Sequence, residues 1–176
     1  MDASTGRYEG GSTVAGDDFL PVALVAEQMA RFGRPWMVAG GWAIDLYLGR
    51  LTRAHKDVEV AIFREDQLAL RAYLDGWTFD FMTRIPERPR AVWGEGVWLS
   101  APIHEIWAAP AGVGRVVRPG AHARAIEILI NERAGDEWLF RKDPTVTLPI
   151  SRAVLQTGAG IPVLAYIVVT VNCAQR

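Results

Sequence analysis

Hydrophobic positions recur at two spacings along this chain, and the change from one to the other marks its elements. Val22, Val25, Met29 and Phe32 fall three and four apart, the spacing of one helix face. Asp17 or Asp18 can cap that helix and Gly33 ends it. Pro35 to Ala39 reads as a short buried strand and Gly40-Gly41 as a turn. Trp42 to Leu48 is a second helix, stopped by Gly49. Residues 50–56 form a basic loop. From Asp57 to Phe63 the period drops to two. Val58, Val60 and Ile62 face one way, while Asp57, Glu59 and Ala61 face the other. A third helix is expected over Glu65–Leu74, closed at Asp75-Gly76, followed by a strand over Trp77–Met82.

Further on the pattern loosens. Residues 84–96 hold two prolines, three arginines and two glycines, which predicts a loop; residues 109–121 predict a second. Short strands at Trp98–Leu99 and Ile103–Ala108 fall between them. Ala125–Asn131 is an apolar run and reads as a buried strand. Residues 131–136 turn it into a hairpin with Glu137–Arg141, ended by Asp143-Pro144. No clear period follows. The order of elements predicts an α/β (α+β) fold, a small mixed β-sheet flanked by helices. Residues 1–16, rich in Gly, Ser and Thr, are expected to be a flexible leader. Residues 17–165 form the domain and residues 166–176 a short, atypical tail.

Composition narrows the class. A chain of 176 residues, half of them hydrophobic, suits one domain with a real core. Nineteen basic against 20 acidic residues leave a net charge of −1, so no basic excess argues for nucleic acid. The single cysteine, Cys173, can form neither an intramolecular disulfide nor a zinc constellation, and a reducing cytoplasm is the simplest compartment. The longest apolar stretch, Ile161–Val171, falls short of the roughly 20 residues a bilayer span needs, so no membrane partner is expected.

Three signals carry chemistry. Gly40 and Gly41 precede a helix, where backbone N–H groups and the helix dipole favour phosphate. Asp57 and Glu59 stand two apart on a strand, hence on one face about 6.6 Å apart, and can share hard metal ions. Glu127 is a charge inside an apolar run, where burial demands a partner or a metal. If its strand lies beside the Asp57–Phe63 strand, three carboxylates converge. Each signal also has a plain structural reading: a Gly-Gly turn, a solvated strand face, and an ion pair of Glu127 with Arg124 or Arg141. Asp45 reads as a complement to its helix dipole, and His55, His104 and His122 as structural. Arg50, Arg53 and Lys56 supply the nearby positive charge.

Together the residues are more specific than apart. The run Gly40-Gly41-Trp42-Ala43-Ile44-Asp45, through Gly49-Arg50-Leu51-Thr52-Arg53-Ala54-His55-Lys56, to Asp57-Val58-Glu59 resembles the signature of the aminoglycoside and lincosamide nucleotidyltransferase-like proteins. These form part of the polymerase-β nucleotidyltransferase superfamily. Ile126–Glu132 and Trp138–Pro144 look like the second half of this group. The resemblance implies a polymerase-β-like nucleotidyltransferase fold. It implies that Gly40, Gly41 and Arg53 bind the nucleotide, that Asp57 and Glu59 hold Mg²⁺, and that Glu127 is the catalytic base. The implied reaction moves AMP from ATP to a hydroxyl of a small molecule such as an aminoglycoside antibiotic. Three departures keep alternatives open: Glu59 stands where many members carry Asp, the C-terminal part is short, and Lys56, directly before Asp57, can occupy the metal site as an internal cation. The alternatives are a non-catalytic or degenerate nucleotide-binding module of the same fold, and a toxin-type enzyme acting on protein or RNA.

Overall fold

A computed structural model of the chain describes residues 17–112, 125–165 and 168. The expected leader lies outside the described residues, as does the tail apart from Val168. So do Arg124, His122 and Cys173.

The helices follow the predicted stripes with shifted ends. A 3-10 turn, Asp17–Phe19, leads into α1 (Leu20–Met29). The N-cap is Phe19, with no side-chain cap bond, so neither Asp17 nor Asp18 caps this helix; Pro21 in the first turn presets its backbone instead. Val22, Val25 and Met29 are buried as the spacing predicts. Helix α2 (Gly40–Leu48) begins at the glycine pair itself, so Gly40-Gly41 is the first turn of the helix rather than a turn before it. Gly49 closes it in the left-handed conformation, with φ 66°. Helix α3 (Gln67–Tyr73) follows a 3-10 turn over Arg64–Asp66.

The sheet is larger than the sequence suggests. Strands β1 (Trp36–Val38), β2 (Val58–Phe63), β3 (Trp77–Ile85), β4 (Arg88–Val92), β5 (Glu105–Pro110) and β6 (Ile126–Ala134) are joined by β7 (Glu137–Leu139) and β8 (Thr147–Pro149). After a short helix, α4 (Ile150–Ala153), come β9 (Val154–Gln156) and β10 (Pro162–Leu164). The order is β4-β3-β5-β6-β2-β1-β10-β9, with β7 on β6 and β8 on β7. Pairs β2–β6 and β1–β10 are parallel and the others antiparallel, so the sheet is mixed as expected.

Two predicted loops are corrected. Residues 84–96 contain β4, which pairs with β3 from Asp80↔Val92 to Ile85↔Arg88. Pro89 is tolerated because β4 lies at the sheet edge, where a missing N–H leaves no ladder bond unmade. Trp98–Leu99 is not a strand; Leu99 instead accepts hydrogen bonds from Arg64 and Gln67 through its carbonyl. Pro110 ends β5 rather than lying in a loop.

One face of the sheet is the core. Val58, Val60, Ile62, Ile126, Ile128, Ile130 and Ile106 are buried against Val22, Val25 and Met29 of α1 and Leu70 of α3. At about 1.5–3 kcal/mol per large apolar side chain, this layer is the main source of stability. The opposite face carries the intervening positions, among them Glu59, Glu127, Trp107 and Asp80, and is the one available for chemistry.

Candidate functional site

The site begins where α2 meets β2. Gly40 has φ 59°, a region that suits glycine, and a Cβ there would fall on the Glu59 carboxylate. Gly41 N–H donates to Glu59 Oε2 at 3.2 Å, so the start of the helix and the carboxylate are in direct contact. A Cβ on Gly41 would lie 2.5 Å from His55 Cε1 and 2.6 Å from an Arg53 guanidinium nitrogen. Both glycines are therefore required by close approach, and Arg53 sits beside the helix N-terminus.

The loop 50–57 is held on α2 by a clamp that the sequence did not reveal. Asp45 is fully buried. Thr52 Oγ1 donates to its Oδ1 at 2.6 Å, and His55 Nε2 lies 2.6 Å from its Oδ2. The His55 ring stacks on Trp42 at 4.3 Å, and Trp42 Nε1 donates to the Asp57 carbonyl at 2.8 Å. Burial raises the pKa of the Asp45 carboxyl, but the bonds from His55 and Thr52 together outweigh it and hold it below the usual range. The only clue in the sequence was an Asp on the apolar face of a helix; its partners, seven and ten residues on, depend on the path of the loop. Asp45 thus anchors the loop, not the helix dipole, and His55 is structural as expected.

Strands β2 and β6 run parallel with Glu59 paired to Glu127, so the two carboxylates are neighbours on one face. Asp57 stands immediately before β2, two residues from Glu59. Glu59 and Asp57 are half-buried and Glu127 is buried, 8% exposed. Among the described residues no three His, Cys, Asp or Glu side chains are grouped closely enough to hold a metal alone. The donors that are present are hard oxygens. Magnesium takes one or two carboxylates and completes its shell with water and substrate phosphate, so Asp57 and Glu59 fit that role. Lys56 is exposed.

The same row continues beyond Glu127. Glu127 pairs with Trp107, Trp107 with Asp80, and Asp80 with Val92. Burial raises the Asp80 carboxyl and the neighbouring Arg90 opposes the rise. A cavity of about 340 Å³ lies further along β6, lined by Leu129, His104, Glu105, Arg141 and Lys142 and by no residue of this row. Of the other acidic residues that could face a cationic ligand, Glu132 binds Arg64 at 2.6 Å and Glu95 is exposed in a loop.

Comparison with known proteins agrees with this geometry. Residues 22–91 match the family model described as aminoglycoside-2''-adenylyltransferase, a stretch that holds the glycine pair, the clamp, Asp57 and Glu59. The matched stretch is less than half of the chain. A crystal structure of ANT(2'')-Ia in complex with adenylyl-2''-tobramycin matches this chain with a TM-score of 0.50. The sequences are 14% identical over 86% of this chain and 71% of that one. A solution structure of the antibiotic-resistance factor ANT(2'')-Ia gives a TM-score of 0.50 at 15% identity, over 86% and 67% of the two chains. At such identity the likeness establishes the nucleotidyltransferase fold. No curated protein sequence matches the chain.

Proposed function

We propose that this chain is a nucleotidyltransferase that moves AMP from ATP onto a hydroxyl of a small, cationic acceptor such as an aminoglycoside, in the cytoplasm, with Mg²⁺. The observation that carries this reading is the register of Glu59 on Glu127 beside the N-terminus of α2. Asp57 and Glu59 would hold the metal, which neutralises charge on the phosphate oxygens. The backbone at Gly40 and Gly41 would receive the triphosphate at the helix start, and Arg53, which lies against Gly41, is at hand for it. Glu127 takes the proton of the acceptor hydroxyl. A relative of this fold was seen with an adenylylated aminoglycoside, tobramycin, which supports the acceptor class.

One observation favours a second reading. The Glu59 carboxylate already accepts the Gly41 N–H, the position a phosphate would take. A degenerate module of the same fold, with Glu59 held on the helix start instead of on a metal, would keep that bond and lack turnover. Pyrophosphate release from ATP and Mg²⁺, measured over aminoglycosides including tobramycin, decides between the two. Release with at least one acceptor is expected, and Asp57→Asn should reduce it by at least two orders of magnitude while the thermal midpoint stays put. ATP binding without release for any acceptor would establish the second reading instead.

A further inference from the structure

The row that starts at Glu59 and Glu127 ends in an aromatic–acidic pair already filled by a cation. Trp107 pairs with Glu127 on one side and with Asp80 on the other, so carboxylate, indole and carboxylate stand side by side on one face. The strip opens at the sheet edge, where Val92, the partner of Asp80, is 81% exposed. Arg90 reaches across from β4. Its guanidinium carbon lies 5.5 Å from the Trp107 ring centroid and its Nη1 lies 3.5 Å from Asp80 Oδ1. The side chain is 49% exposed and belongs to an edge strand, so it can swing into water without disturbing the core. A cation above an indole face and beside a carboxylate is also how proteins hold a ligand ammonium group.

We propose that Arg90 is an internal stand-in for a cationic group of the acceptor, and that Trp107 with Asp80 is the subsite it vacates on binding. The word acceptor rests on the transfer reading above; the binding chemistry does not. Glu127 and Asp80 are two interstrand spacings apart, about 10 Å. An acceptor with its reacting hydroxyl at Glu127 therefore carries its ammonium more than one sugar ring away. The ligand class is an aminated polyol of several rings. Binding exchanges the Arg90 guanidinium for a ligand ammonium while Arg90 moves out to water.

The two charged residues then act with opposite signs, which loss of structure cannot imitate. Titration calorimetry of tobramycin into the full chain without nucleotide, at low salt, reads this directly. Asp80→Asn should weaken binding about fivefold, and Arg90→Gln should tighten it about threefold. Arg90→Lys should restore the original affinity, and added salt should shrink both differences. Equal affinities in all proteins, shifts of the same sign, or no binding to the unaltered chain would overturn the proposal. Pyrophosphate assays on the same variants separate it from the transfer reading. Opposite calorimetric shifts without transfer leave the subsite standing and sink the enzyme. Transfer with the same KM in the unaltered chain, Asp80→Asn and Arg90→Gln does the reverse.

Discussion

At Gly41 a single methyl group separates this fold from a strained one. The nearest obstacles to a Cβ are His55 and Arg53. Arg53 is exposed and can turn away, but His55 is held by Asp45 and stacked on Trp42, so the collision with its ring cannot relax cheaply. Gly41→Ala should cost about 1–3 kcal/mol, the range for overpacking, read as a lower urea midpoint at unchanged slope. An unchanged midpoint would mean that the clamp is loose. Asp45 carries a pH signature of its own. Its carboxyl is held below its ordinary value, so the stability it adds is complete above about pH 4, the unfolded value, and is lost as pH falls through the lowered one. The stability gap between the unaltered chain and Asp45→Asn should therefore be flat above that point and close below it. Acid denaturation curves of the two proteins check this, and a gap that widens on acidification would contradict the assignment.

Helix α2 and the loop 50–57 behave as one positioning element, because Trp42, Asp45 and the glycine pair all hold that loop or β2. Trp42 Nε1 on the Asp57 carbonyl ties the helix to the start of β2. Trp42→Phe keeps the ring in the core and removes that bond, worth about 1 kcal/mol in stability. If Asp57 holds the metal, turnover should fall by more than the roughly fivefold that this energy equals, since small displacements at a reacting centre are costly. Equal losses in stability and turnover would make the bond purely structural. Much of this element could be read in the sequence. The two-residue period of Val58, Val60 and Ile62, and the glycine at each end of the helix, fixed strand and helix to within two residues. The clamp itself was not readable, because contacts seven and ten residues apart depend on the loop path rather than on any period. Strand β4 was hidden by Pro89, a residue excluded from central strands but allowed at an edge, and with it the place of Arg90. Strands β9 and β10, three residues each, are too short for a period to show.

At the scale of the whole molecule, the sheet closes through its last strand. β10 pairs in parallel with β1, Val163 beside Val38, and β9 covers the far side of β10. The chain after Pro149 thus supplies the far edge of the sheet that carries the candidate site. It also buries Ala153, Ile161, Val163, Leu164, Ala165 and Val168 in the common core. The backbone of Ala165 donates to the Ala153 carbonyl at 2.8 Å, which folds α4 back onto this edge. Removing these residues would leave β1 with an open apolar edge, a template for pairing with other chains. It would also forfeit several buried side chains at about 1.5–3 kcal/mol each, comparable to the whole stability of a domain. A chain ended after Pro149 should therefore lose its cooperative thermal transition and associate, although every proposed site residue is still present. Calorimetry and light scattering on that shortened chain test the claim. A monomer that still melts cooperatively would show that the site-bearing strands, β2 and β6, form a stable sheet without their C-terminal neighbours.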